Sequence, residues 1–118
     1  MTTFDASTAQ ETARQFLQEN PDIETVEIVM TDLNGVVRGK WLPVSKLVEI
    51  AGGTTGMTID LATCDIWGRD VPAVIEGTRE GDGVCRPVMS SLQRLAWLAR
   101  PTASLIVHMH DEDGNAWP

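Results

Sequence analysis

The chain has 118 residues, 42% of them hydrophobic, enough to bury one core, so it reads as a single folded domain and not as a disordered tract. Its 17 acidic side chains against 9 basic ones give a formal charge of −8, and no basic cluster extends beyond Arg38-Gly39-Lys40, which argues against nucleic acid as a partner. No apolar run reaches the ~18 residues of a membrane-spanning helix, and the polar, acidic start lacks the basic opening of a secretory signal, so a cytoplasmic location is expected. Cys64 and Cys85 are too few for a disulfide framework and too far apart for a CxxC redox or zinc pair.

Ser7 or Thr8 is positioned to cap a first helix over Ala9 to Glu19, whose Ala13, Phe16 and Leu17 recur at helical spacing; Asn20-Pro21 ends it. Ile23 to Thr31 then alternates as a strand, and Asp32-Leu33-Asn34-Gly35 supplies a tight reversal into a partner strand over Val36 to Leu42. Val44 to Ile50 follows a proline with helical spacing and stops at Gly52-Gly53. Met57 to Thr63 reads as a short strand, and residues 64–78 mix Gly, Pro, Asp and Arg without either period, the pattern of a long irregular loop. Gly81-Asp82-Gly83 is predicted to turn into a strand over Val84 to Met89, followed by strands over Arg94 to Ala99 and Ala103 to Met109. That last strand is expected to need a partner beyond the Asp111-Glu112-Asp113-Gly114 turn. Short strands with helices give an α+β class.

Among residues that carry chemistry, Arg38 and Lys40 sit two apart and share one face of their strand, with Gly39 between them leaving room for another backbone. They suit an anion or a subunit contact, or a solvated face with ion pairs. His108 and His110 also share a face, but two imidazoles are half a metal site and no third ligand is identifiable, so no metal site is assigned. The acids of Asp111 to Gly114 miss the calcium-loop spacing, and Cys64 has no neighbouring histidine to activate it. There is no GxxxxGK loop, no HExxH and no nucleophile elbow.

The Asp32-Leu33-Asn34-Gly35 turn, Arg38-Gly39-Lys40, Gly81-Asp82 followed by Arg86-Pro87, Leu95-Ala96-Trp97 and Asp113-Gly114 occur in an order and spacing that resemble the N-terminal domain of the glutamine synthetase family, from Phe16 to Trp117. The resemblance implies a β-grasp fold, a ubiquitin-like roll whose mixed sheet carries helices on one face. It implies that residues 1–118 are one such domain, cut off before a C-terminal catalytic domain. The family's enzymes use ATP and Mg2+ or Mn2+ to activate the γ-carboxylate of glutamate as an acyl phosphate, which an amine or ammonia then attacks. The glutamate, nucleotide and metal sites belong to the C-terminal domain, so no cofactor site is expected here and the isolated domain is expected to be inactive.

In that family the N-terminal domain forms one edge of a neighbouring subunit's active site in a ring homo-oligomer. The loop responsible, Phe-Asp-Gly-Ser-Ser followed by a tryptophan, is matched here by Ile59-Asp60-Leu61-Ala62-Thr63 and Trp67. The resemblance therefore gives Asp60 the binding and deprotonation of the incoming ammonium, with Thr63 in support; a carboxylate stabilises the cation and then takes its proton. With one gap allowed, Asp65 beside Trp67-Gly68 takes that place instead, leaving Asp60 a surface acid at a strand end. Asp65 and Asp70 otherwise read as solvated turn formers, and Trp67 as a packing or subunit-contact residue. Leu61 and Ala62 replace a glycine and a serine of the ammonia-gripping loop, and the wording is closer to the γ-glutamyl-amide branch, whose amine is a polyamine or another organic amine. A stand-alone β-grasp interaction or regulatory module is the competing reading.

Overall fold

The computed structural model describes residues 4–31, 35–58 and 82–110. Helix α1 spans Ala6–Glu19 and begins earlier than predicted, because Asp5 and not Ser7 or Thr8 caps it. Asp5 Oδ1 accepts hydrogen bonds from the backbone N–H groups of Ser7 and Thr8 at 3.0 and 3.2 Å, and Oδ2 accepts one from the Thr8 hydroxyl at 3.0 Å. A carboxylate satisfies two of the orphan donors at a helix start, so it wins over the single hydroxyls that follow it and draws both into the first turn. At the other end the backbone N–H and the side-chain amide of Asn20 both donate to the Phe16 carbonyl, at 2.9 and 3.0 Å.

Strands β1 (Thr25–Thr31) and β2 (Val37–Pro43) form the expected antiparallel hairpin, with Val26 opposite Leu42, Ile28 opposite Lys40 and Met30 opposite Arg38. Gly35 adopts φ +76°, the left-handed conformation this reversal demands. The helical stretch after Pro43 opens as a 3-10 turn, Val44–Lys46, and only then becomes α2, Leu47–Ala51; Pro43 offers no side-chain cap, and the tighter turn takes its place.

Strand β3 (Thr55–Thr58) pairs antiparallel with β4 (Asp82–Pro87), which pairs antiparallel with β6 (Thr102–His110). Strand β6 also runs parallel to β1, giving the order β2-β1-β6-β4-β3. Among the described residues the last strand is the centre of the sheet, with β1 on one side and β4 on the other; the return strand expected after the turn at 111–114 lies outside the described residues. Such parallel pairing cannot arise from a tight turn and leaves no local mark in sequence. The predicted strand Arg94 to Ala99 shrinks to β5, Gln93–Arg94. Arg94 stands opposite Ala103 in an antiparallel pair, so residues 95–101 must make the reversal themselves; Leu95 N–H donates to the Thr102 carbonyl at 2.9 Å and the chain turns there. Asp82 and Gly83 lie in β4 and not in a turn, and the Met109 side chain fills the space that a Cβ on Gly83 would need. Met89, predicted in this strand, begins a 3-10 turn, Met89–Ser91.

This α+β arrangement is the β-grasp roll. One face of the sheet presents Val26, Ile28, Met30, Cys85, Ala103, Leu105, Val107 and Met109, and against them pack Ala9 and Ala13 of α1 and Leu47, Ile50 and Ala51 of α2. Each fully buried Leu or Ile contributes about 1.5–3 kcal/mol of transfer free energy, so this layer, not helix propensity, holds the five-residue α2 in place.

Candidate functional site

Asp60 and Thr63, and with them Asp65, Trp67, Asp70 and Cys64, lie outside the described residues. The structure does describe the strand from which their segment departs. Among the described residues β3 is an edge strand, yet its start meets the core: Thr55 stands opposite Cys85, which is fully buried, and the Thr55 hydroxyl oxygen is itself buried with no hydrogen-bond partner among the described residues. Gly52 closes α2 just upstream, its N–H donating to the carbonyls of Val48 and Glu49, and Gly53 follows at φ +75° with the Phe4 ring against it. The segment leaving β3 follows a strand paired residue by residue with β4, Thr58 standing opposite Asp82.

Arg38 and Lys40 do share one face of β2, as predicted. That face is the inner one, since their cross-strand partners Met30 and Ile28 are buried, but among the described residues β2 is the edge of the sheet, and Arg38 is half-buried and Lys40 exposed. A long aliphatic stem with a charged head suits such a place, covering the core margin while the charge reaches water. Gly39 allows the approach inferred for it: a Cβ there would sit 2.5 Å from the Ile28 carbonyl oxygen. His108 and His110 alternate with buried Val107 and Met109 and so share the opposite face; among the described residues no group of three His, Cys, Asp or Glu could hold a metal ion.

The open face holds what sequence reasoning missed. Trp41, 73% exposed, projects there between Lys40 and Leu42, opposite Glu27 in register. With Thr25, Thr102 and the turn Leu98-Ala99-Arg100 it lines a predominantly apolar groove of about 240 Å³. The available signal was the phase of β2: Arg38, Lys40 and Leu42 follow the inner face, which leaves a large aromatic ring on the outer one.

Electrostatic pairing is concentrated elsewhere. Arg94 grips Asp22 through two parallel hydrogen bonds of 2.6 and 2.5 Å, and this bond holds the Asp22 carboxyl below its ordinary range and raises Arg94. The Asp5 carboxyl is lowered by the Thr8 backbone hydrogen bond first, then by the Thr8 hydroxyl. Among the described residues no helix is long and apolar enough to cross a membrane.

No family model matches the chain. It is 33% identical over 103 residues to gamma-glutamylputrescine synthetase PuuA of Escherichia coli (strain K12), an alignment that covers 86% of this chain and 22% of that enzyme. Among solved structures, a GmaS/ADP complex aligns with the whole chain at 29% identity and a TM-score of 0.61, over 22% of its own length. The crystal structure of a glutamine synthase homolog aligns with 81% of the chain at 25% identity and a TM-score of 0.67, over 23% of its length. The chain thus spans about a fifth of the length of these proteins.

Proposed function

We infer, for a chain that is a homologue of the glutamine synthetase-like ligases, that it serves as the N-terminal β-grasp domain of an ATP-dependent glutamate–amine ligase and forms the edge of a neighbouring subunit's active site through which the amine enters. The observation that carries this reading is the 33% identity to gamma-glutamylputrescine synthetase, joined to a matching fold across the whole chain in the GmaS/ADP complex. The amine acceptor proposed is an organic amine such as putrescine, in keeping with that relative and with Leu61 and Ala62 in the loop.

The mechanistic share of this chain is carried by Asp60. Its carboxylate binds the protonated amine and takes one proton from it, freeing the nitrogen lone pair, which then attacks the γ-acyl phosphate and displaces phosphate; Thr63 offers a hydroxyl to hold the carboxylate or the amine. The glutamate γ-carboxylate is activated by ATP with Mg2+ or Mn2+ in the remainder of the ligase, whose catalytic domain and neighbouring subunits are the partners of this domain. The anchoring of β3 by Cys85 supports this role, since the segment that carries Asp60 follows a strand fixed to the core. A positioning loop is only as accurate as its base.

The test is substrate competition in the ligase that contains this chain. With glutamate and ATP present, ADP release should depend on added amine, and kcat/KM should be higher for putrescine than for ammonium. A preference for ammonium would overturn the choice of amine, and no amine-dependent turnover with any acceptor would overturn the ligase reading.

A further inference from the structure

We propose that the open face of the sheet carries a docking groove for a protein segment that presents an apolar side chain beside a carboxylate. Thr25 and Thr102, paired in register at the starts of β1 and β6, lie between Trp41 of the edge strand on one side and Leu98-Ala99-Arg100 on the other. The volume, about 240 Å³, falls below the ~300 Å³ at which pockets for drug-sized molecules begin, so it suits a single large side chain better than a cofactor. The groove is also open on the flat of the sheet, where a side chain held by its own backbone seats more readily than a small molecule that needs enclosure. Trp41 and Leu98, exposed side chains, both line it. Two large apolar side chains meeting in one groove mark a contact surface better than single scattered residues do.

Arg100 decides the chemistry of the occupant. Arg14, Lys46 and Arg94 pair with Glu11, Glu49 and Asp22, whereas exposed Arg100 at the groove has no ion pair among the described residues. A carboxylate next to the inserted side chain would complete a charge-assisted, bidentate contact at the rim of an apolar patch. The formal charge of −8 disfavours a second copy of the chain as the occupant. None of these residues belongs to the segment 59–63, so this proposal does not rest on the ligase reading and its failure is read separately from amine kinetics.

The test titrates the 118-residue chain, labelled for amide and indole NMR, with acetyl-Leu-Asp-amide and with acetyl-Leu-Asn-amide. The aspartyl peptide should give saturable shifts confined to Thr25, Trp41, Leu98 to Arg100 and Thr102, and should bind about two- to fivefold tighter than the asparaginyl one, the range of an exposed ion pair. Arg100→Gln should erase that difference, and Trp41→Ala should weaken both peptides while the signals of β1 and β6 stay in place. Absence of saturable shifts, shifts on the helical face, or equal affinities in the parent chain would overturn the proposal. So would tighter binding of N-acetylleucine than of either peptide, which would make the site one for a small metabolite, or a concentration-dependent dimer abolished by Trp41→Ala, which would make the occupant a second copy.

Discussion

Arg94 and Asp22, 72 positions apart, meet through both nitrogens of one guanidinium terminus and both oxygens of the carboxylate, at 2.6 and 2.5 Å. The pair ties the two-residue strand β5 to the link between α1 and β1, next to the site where Pro101 accepts the N–H groups of Glu24 and Thr25 at 2.9 and 3.4 Å. It therefore clamps the same end of the sheet at which the apolar groove opens.

Its pH dependence follows from the direction of the shift. Hydrogen bonding to Arg94 lowers the folded carboxyl of Asp22 below its ordinary 3.8, so the contribution to stability is full above about pH 4 and is lost as pH falls through the lower folded value. Urea midpoints should show Asp22→Asn less stable than the parent at pH 7, with the gap closing as pH falls below 3.8 through the lowered folded value. A gap that persists unchanged in acid would mean that the charge of Asp22 is not what matters.

The cap on α1 should behave in the same sense. Asp5→Ala removes the acceptor for Ser7 and Thr8, so amide hydrogen exchange of those two residues should speed up at neutral pH while Ile28 and Leu105 in the core keep their protection. Asp5→Asn, which keeps an acceptor oxygen, should recover part of the loss.

Neighbours on the central strand should respond in opposite ways. Leu105 is fully buried and Leu105→Ala should cost about 2–5 kcal/mol in equilibrium unfolding, whereas Ile106 faces outward, 43% exposed, and Ile106→Ala should stay within about 0.5 kcal/mol of the parent. Similar losses at both positions would mean that the outer face is covered.

Gly39 and Gly35 make a second contrast. A side chain at Gly39 would press on the Ile28 carbonyl, a backbone atom that cannot rotate away, so Gly39→Ala should cost about 1–3 kcal/mol and loosen the β1–β2 ladder. At Gly35 nothing lies within 4 Å, and Gly35→Ala should cost only the backbone strain of φ +76°, about 1–2 kcal/mol, without disturbing the register.

What could be read in the sequence was what depends on neighbours along the chain. Gly35 had to supply a left-handed turn, and alternation put Val26, Ile28 and Met30 on one face. Leu95-Ala96-Trp97 shows the limit: its apolar wording suited a strand, but Leu95 is pinned to Thr102 and Trp97 sits exposed in the turn that follows. The central place of β6, the Asp22–Arg94 clamp and the groove around Trp41 join distant segments, and no local period encodes them. Asp60 and Thr63 rest on the family resemblance alone, because a lone carboxylate after a short strand has no distinguishing pattern of its own, and both lie outside the described residues.

The most direct measurement is steady-state kinetics of Asp60→Ala and Asp65→Ala in the proposed full-length ligase. If Asp60 is the amine-binding base proposed above, Asp60→Ala should lower kcat/KM for the amine by about 10²- to 10⁴-fold and leave the KM for ATP unchanged, while Asp65→Ala stays near the parent. The same loss in Asp65→Ala alone would move the role to that residue, and unchanged amine kinetics in both variants would contradict an active-site edge in this domain.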